Sequence, residues 1–330
     1  MKTVLSGIRP TGNLHLGNYY GAMVNFLNMQ EEYKCFFFIA DWHALTTHPN
    51  PKTLGANVKN ILAEYLACGL NPEKSTLYVQ SDVPEIAELY LLLNMQAYLG
   101  ELEKTVSFKE KARQNPQNIN AGLLTYPVLQ AADILIHNAD YVPVGKDQEQ
   151  HLEMTRNFAK RFNNRHGVNY FKEPTAFASD QPMIKIPGLD GSGKMGKSEG
   201  NAIYLIDEPK TIEKKVKGAL TDNGPEGENT PKPDCIENLF TLLKVVSTPE
   251  VMAHYEDLWN RGEQKWYGNL KKQLAEDITN VTNPIRERIN DIKNDEIYLN
   301  KVMKMGAEKA RESAGKTLKD VRKMMGFRQN

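Results

Sequence analysis

The sequence predicts an α/β fold: a Rossmann-like parallel-sheet domain followed by an α-helical C-terminal domain. Three observations carry that expectation. Over the first 145 residues, short β-branched or aromatic runs alternate with helical patterns, the order that a parallel sheet with right-handed crossovers requires. One run, Cys35-Phe36-Phe37-Phe38-Ile39-Ala40, is apolar on both faces, as a strand covered by helices on each side must be. From Lys210 onward only helical patterns survive. At roughly 100–200 residues per domain, 330 residues suggest two domains, divided here as 1–204 and 205–330.

In chain order, residues 3–8 read as a strand. Residues 16–33 read as a helix, with Leu16, Tyr20, Met23, Leu27 and Gln30 at helical spacing. After the strand at 35–40, a helix over 53–68 ends at Gly69, the residue type that tolerates a left-handed C-terminal turn. A strand at 76–80 leads to a helix entered through Pro84, a residue suited to a first turn. A helix at 121–137, a strand at 141–144 and a helix at 148–162 follow. Residues 183–186 form a short strand interrupted by Pro187. Segments 188–201 and 223–233, rich in Gly, Pro, Asn and charge, read as loops. Helical patterns then cover 211–220, 235–246, 249–259, 268–290 and 296–325. No internal repeat or low-complexity segment interrupts them.

Composition narrows the function. Lys and Arg number 41, as do Asp and Glu, and the formal charge of zero argues against indiscriminate coating of nucleic acid. No apolar run reaches the ~18–20 residues needed to span a bilayer, and no basic, apolar leader opens the chain. Neither a membrane nor DNA is therefore an expected partner. Cys35, Cys68 and Cys235 lie far apart with no CxxC spacing, which argues against a disulfide framework or thiolate metal site and fits a reducing cytoplasm. The seven histidines show no ligand spacing, so no resident metal is expected. Charge is uneven, however. Residues 301–330 hold nine Lys and Arg against three acidic groups, a tail that is either a solvated helix face or a contact for a phosphate backbone.

Two segments carry chemistry. Pro10-Thr11-Gly12-Asn13-Leu14-His15-Leu16-Gly17-Asn18 lies between the first strand and the first helix. In an open parallel sheet, ligands bind beyond the carboxyl ends of strands, where unpaired N–H groups and the helix dipole favour phosphate. Gly17 lets a flat ligand approach the backbone, and His15 and Asn18 can donate to phosphate oxygens. The plainer role for His15 is a helix cap. The second segment, Gly191-Ser192-Gly193-Lys194-Met195-Gly196-Lys197-Ser198, matches both GxGxxG and the P-loop pattern GxxxxGK[ST]. Both patterns require a buried strand before and a helix immediately after. Here a proline interrupts the strand, and Glu199-Gly200-Asn201 does not open a helix. A glycine-hinged loop carrying two lysines, able to close over a polyphosphate, fits better.

Taken together, these segments resemble the HIGH and KMSKS signatures of the class I aminoacyl-tRNA synthetases, with Gly196 in place of the usual first serine of KMSKS. Six further stretches are similar to the bacterial tryptophanyl enzymes: Ser6-Gly7-Ile8-Arg9-Pro10, Asp41-Trp42-His43-Ala44, Gly100-Glu101-Leu102, Phe108-Lys109-Glu110-Lys111, Ala131-Ala132-Asp133-Ile134-Leu135 and Val142-Pro143-Val144-Gly145-Lys146-Asp147-Gln148. The similarity runs from Met1 to the C-terminal helix.

The resemblance implies ATP-dependent activation of L-tryptophan and its transfer to tRNA(Trp), by a catalytic domain ending in the KMSKS-like loop and a helical domain that binds the anticodon. It implies that Arg9, Pro10, Thr11, Gly17, Asn18, Lys111, Gly145, Lys146, Asp147, Ile186, Lys194, Met195, Gly196, Lys197 and Ser198 surround ATP, with Mg²⁺ arriving on the nucleotide. His15, Asn18, Lys194 and Lys197 are the implied catalytic groups. Asp133, His43, Tyr126, Gln130, Gln148 and Leu5 are the implied tryptophan pocket. An indole N–H can only donate, so an acceptor such as Asp133 is what its recognition needs. The family also implies a homodimer, and the apolar stretch at 89–95 offers either an interface or core packing. Departures remain. Tyr126-x-x-x-Gln130-x-x-Asp133 is the spacing that tyrosyl enzymes use to hold tyrosine, and Arg9, Lys146 and Leu5 replace a common glutamine, glutamate and phenylalanine. A tyrosyl enzyme and a noncatalytic synthetase-like binding protein stand as the alternatives.

Overall fold

The computed structural model describes residues 1–145, 148–177, 184–197 and 199–328. Strand β1 (Thr3–Ile8) leads through the 9–15 turn into a helical run made of α1 (Leu16–Asn18), a π-helical turn (Tyr19–Met23) and α2 (Val24–Glu32). Next come β2 (Lys34–Ile39), α3 (Asp41–Ala44), α4 (Pro51–Cys68) and β3 (Ser75–Val79). Helices α5 (Glu85–Asn94), α6 (Leu99–Leu102), α7 (Val106–Gln114) and α8 (Ala121–Ile136) precede β4 (Tyr141–Val142), α9 (Glu149–His166) and β5 (Thr175–Ala176). The remaining elements are helical: α10 (Pro209–Lys217), α11 (Asp234–Val246), α12 (Pro249–Asn260), α13 (Tyr267–Asn294) and α14 (Glu296–Met324).

The five strands form one parallel sheet in the order β3-β2-β1-β4-β5. Strand β2 shows why a continuous apolar run was needed. Cys35, Phe37 and Ile39 enter the core beneath α4, while Phe36 and Phe38 enter the opposite core with α5 and α8. Strands β1 and β3 divide in the same way, Val4 from Leu5 and Leu77 from Tyr78. Alternate side chains of a pleated strand thus fill two separate cores.

Several boundaries differ from the sequence expectation. The 16–33 helix is interrupted by its π turn, and the 141–144 strand has two residues, Tyr141 and Val142. Helix α4 begins at Pro51 because the side chain of Asn50 caps the N–H of Lys52, and it ends at Gly69 with φ 113°. Residues 184–186 are not a strand, and Met183 lies outside the described residues. Residues 199–203 open no helix, which removes the structural context of a P-loop.

Helix α14 departs most from a separate helical layer. Leu299 and Val302 join the core beneath α4, whereas Ala310, Ala314, Leu318 and Val321 join the other core. Between those sets, Gly306 crosses edge strand β3 so closely that a β-carbon would fall 1.6 Å from the Leu77 carbonyl oxygen. The helix therefore covers a sheet edge that would otherwise expose unpaired backbone groups. Contacts at α14's sides fix it further: Ser313 Oγ bonds His137 Nδ1 at 3.1 Å, and Tyr170 donates to Asp320 at 2.9 Å.

Candidate active site

A cleft of about 500 Å³ opens beyond the carboxyl ends of β1, β2 and β4. Strand β1 has β2 on one side and β4 on the other, so successive connections leave in opposite directions and a crevice results. Leu5, Arg9, Asn18, His43, Lys111, Tyr126, Gln130, Asp133, Gly145 and Gln148 all line this cleft. Backbone comes close at Gly7, where a β-carbon would meet the Phe38 ring at 2.6 Å. A smaller apolar hollow of about 310 Å³ adjoins it and shares Thr46 and Tyr126 with it.

Asp133 lies on the inner face of α8 with no exposed surface. Its Oδ2 meets His43 Nε2 at 2.8 Å, and its Oδ1 accepts from Gln80 Nε2 at 2.7 Å. Burial raises its pKa, and the His43 and Gln80 hydrogen bonds oppose that rise. Gln80 is itself oriented, its Oε1 accepting the N–H of Trp42 at 3.1 Å. A carboxylate has about four lone-pair positions, so Asp133 retains capacity for one further donor from the cleft.

The pocket wall beside it is another connected network. Tyr126 donates to Ser107 Oγ at 2.7 Å and meets His151 Nε2 at 2.8 Å, while His151 Nδ1 meets Gln148 Oε1 at 2.9 Å. Lys111 Nζ sits 4.3 Å from the centre of the Tyr126 ring. Burial, then the charge of Arg9, lowers the Lys111 pKa. Gln80, Ser107 and His151 were not anticipated. Gln80 follows the last residue of a strand, the position that signals a ligand-facing residue. Ser107 and His151 carry no comparable mark.

The nucleotide side is made differently. His15 caps α1: its Nδ1 accepts the N–H of Asn18 at 3.3 Å, and Asn18 Oδ1 accepts the N–H of His15 at 3.2 Å. An accepting Nδ1 places the proton of the neutral ring on Nε2, leaving that atom as a donor. Burial, then Lys197 and Lys194, lowers the His15 pKa to about 4. Capping and presentation of a donor are thus compatible here. Gly17 leaves no room for a side chain, since a β-carbon would lie 2.9 Å from the His15 ring.

The lysine loop docks on this turn. Lys197 Nζ donates to the Gly12 carbonyl at 2.8 Å, and burial lowers its pKa to about 8. Lys194 is exposed. Like Pro10, Thr11, His15, Gly17, Lys194, Gly196 and Lys197, Met195 and Ile186 do not line the cleft. Both side chains are buried, and the Met195 N–H donates to the Ile186 carbonyl at 2.8 Å, so they anchor the loop. Asn201, buried and unanticipated, accepts from the Gly196 N–H and donates to Asp190 Oδ1, Ser192 Oγ and the Lys194 carbonyl. Pro10 is buried and Thr11 exposed at the start of the turn. Lys146, Asp147 and Ser198 lie outside the described residues.

The model of the family "tRNA synthetases class I (W and Y)" matches residues 1–283. The chain belongs to that family. This synthetase chain is 64% identical over 328 residues to a tryptophan–tRNA ligase of Porphyromonas gingivalis, covering 99% of this chain and 100% of the relative. A tryptophan–tRNA ligase of Clostridium tetani is 40% identical over 329 residues, covering 99% and 96%. Among solved structures, the tryptophanyl-tRNA synthetase of Campylobacter jejuni complexed with ADP and tryptophan superposes with a TM-score of 0.88 at 34% identity, covering 98% of this chain and 100% of that one. Among the described residues of this synthetase chain, no helix is long and apolar enough to cross a membrane, and no group of three or more His, Cys, Asp or Glu side chains could hold a metal ion.

Proposed function

We propose that this chain activates L-tryptophan with ATP and transfers it to tRNA(Trp). The observation that carries the reading is Asp133, a fully buried carboxylate on the cleft floor whose two oxygens are already held by His43 and Gln80. An acceptor so fixed suits one N–H donor inside an apolar ring, and leaving a buried acceptor unpaired penalises analogues without that donor. Leu5, Tyr126, Gln130 and Gln148 form the surrounding wall. The tyrosyl reading rests on Gln130, and the two tryptophan-ligase relatives weigh against it.

ATP lies along the 9–18 turn, with its triphosphate toward Lys111, Lys194 and Lys197 and its nucleoside toward Gly145. Lys146, Asp147 and Ser198 keep the nucleotide role that the family resemblance gives them. The tryptophan carboxylate attacks the α-phosphorus, the bond to the bridging oxygen breaks, and pyrophosphate leaves with the electron pair. The nucleophile is already ionised, so positioning and stabilisation of charge on the leaving group carry catalysis. The Nε2–H of His15, the Asn18 side chain and the two loop lysines are the donors for that charge. Mg²⁺ travels on the phosphate oxygens of ATP. A terminal ribose hydroxyl of the tRNA, the 2′-OH by family habit, then takes the aminoacyl group and AMP leaves.

The C-terminal region from residue 205 is the tRNA-binding portion in this reading, and the setting is the cytoplasm. Within the tail, Arg311 and Arg322 pair with Glu85 and Glu88 on α5, whereas Lys301, Lys304 (4.0 Å from Glu308 of its own helix), Lys316, Lys319 and Lys323 are exposed. The exposed lysines are the candidate phosphate contacts. A homodimer also fits. Ala87 and Leu91 on α5 and Met95 just past its end follow one another at helical spacing, Leu91 and Met95 are 49% and 72% exposed, and Ala87 borders the small apolar hollow, while Leu89, Leu92 and Leu93 pack inward.

ATP–pyrophosphate exchange with tryptophan and tyrosine side by side tests the activation step. Exchange with tryptophan alone is expected. Exchange with tyrosine alone would make Gln130 the informative residue, and exchange with neither would favour the noncatalytic reading.

A further inference from the structure

Glu64 lies in α4 without any exposed surface, inside the apolar run Ile61-Leu62-Ala63-Glu64-Tyr65-Leu66. Its Oε2 accepts the backbone N–H of Leu14 at 2.7 Å, whereas its Oε1 is buried with no hydrogen-bond partner. Leu14 stands at a junction. Its carbonyl accepts the N–H of Leu205, the N–H of Leu16 is bonded to the carbonyl of Ile203, and His15 follows directly. The segments before α1 and after the lysine loop are therefore laced together at the residue that Glu64 holds.

A buried acid that accepts one N–H and leaves the other oxygen empty is an expensive way to hold a turn. Its surroundings give the charge a purpose. Lys197, docked on Gly12 of the same turn, and Lys293 of α13 are the cations that favour its ionised form. Cys68, one turn along α4, faces it too, and Arg288 of α13 binds the Ala67 carbonyl beside that cysteine.

We propose that Glu64 is a positioning residue for the ATP site: it clamps Leu14, so that His15 and Asn18 face the phosphates, and it supplies a buried negative charge near the Lys197 docked on Gly12 until a polyphosphate draws that lysine away. The proposal depends on the reading that this turn and loop bind ATP. When Lys197 leaves, the Glu64 carboxylate loses a counter-charge and takes a proton from solvent. Burial has already pushed its pKa up to about 7, so ATP binding near neutral pH is accompanied by proton uptake.

The test uses the full chain and tryptophan-dependent ATP–pyrophosphate exchange between pH 6 and 8.5, with KM resolved for each substrate. Glu64→Gln keeps an acceptor for Leu14 and removes the charge; the pH dependence of its ATP KM flattens. Glu64→Ala removes both: its ATP KM profile is as flat as that of Glu64→Gln and lies about tenfold above it, while the tryptophan KM holds. Calorimetry of ATP binding in two buffers of different ionisation enthalpy shows proton uptake at pH 7 in the wild type and less in Glu64→Gln. A wild-type pH profile in Glu64→Gln overturns the proposal, and so does a parallel rise of both KM values with a lowered melting temperature. If Glu64→Ala fails to fold, the Glu64→Gln profile decides alone. Absence of exchange in the wild type would instead defeat the ATP reading itself.

Discussion

The half of the cleft around Asp133 and the half around the 10–18 turn are built from different materials. The first is side chain against side chain. Asp133, His43 and Gln80 form one bonded group, and Tyr126, Ser107, His151 and Gln148 form another. The second is backbone and lysine charge: a turn capped by His15, a loop docked through the Gly12 carbonyl, and a buried Glu64 with an empty oxygen. A rigid, nearly apolar ligand is best met by a pocket formed in advance, because ordering it afterwards costs affinity. A polyphosphate brings enough charge to reorganise lysines around itself, so its half can remain incomplete until it binds.

The largest effect expected from that contrast is confined to chemistry on the nucleotide side. Lys197→Ala removes a cation that acts chiefly when pyrophosphate leaves, so kcat for exchange falls about 10²–10³-fold. Equilibrium binding of tryptophan, measured without ATP, stays at the wild-type value. A comparable loss of tryptophan binding would show that the halves are not independent.

Asp133→Asn is next. It preserves shape but gives up the charged acceptor, and kcat/KM for tryptophan falls about 10–100-fold, the worth of a hydrogen bond to a charged group. The ATP KM is unchanged. If the ATP KM rises equally, the carboxylate supports the whole cleft rather than one ligand.

Acid should find the nucleotide half first. His15 has its pKa lowered from 6.5 to about 4, so the folded protein binds less proton there than the unfolded chain. A lowered histidine contributes stability that is present above pH 6.5 and is lost as pH falls through about 4. Between pH 7 and 5 the loss is about 2 kcal/mol. His15→Asn, a good helix cap that does not titrate, lacks this component. Urea denaturation of both proteins at pH 7 and 5 measures it, and equal losses in the two would place the pH sensitivity elsewhere.

Much of this was legible in the residues, for identifiable reasons. Strand β2 announced itself because both of its faces are buried, and the end of α4 because Gly69 closes it, although the start marked by Asn50 and Pro51 lies two residues before the expected 53. Asp133 came through the family resemblance, and it is a charge within the apolar run 128–136. Glu64 carries the same signature in Ile61-Leu62-Ala63-Glu64-Tyr65-Leu66, yet no motif surrounds it, so the mark passed unread. Asn201 and Ser107 could not have been found, since their importance lies in partners 5–44 residues away that only folding brings near. The course of α14 was hidden for a related reason. Its helical period reads plainly, but its division between two cores and its crossing over β3 at Gly306 depend on a sheet edge more than 200 residues earlier.

The smallest effect tests whether the amino-acid half is a network rather than a set of separate contacts. Tyr126→Phe removes a hydroxyl that bonds Ser107 and His151, but those two are already within 2.8 Å of each other. Once the hydroxyl is gone they pair directly, and Gln148 keeps its bond to His151 Nδ1. No buried group is left without a partner, so the penalty is that of one neutral hydrogen bond, about 0.5–1.5 kcal/mol, or a two- to twelvefold rise in the tryptophan KM. The double variant Tyr126→Phe with Ser107→Ala removes both hydroxyls from His151 Nε2 and costs more than the sum of the single changes. Additive costs would mean that the wall of the pocket is held by packing alone, and the contrast with the nucleotide half would then rest on Asp133 and its two partners.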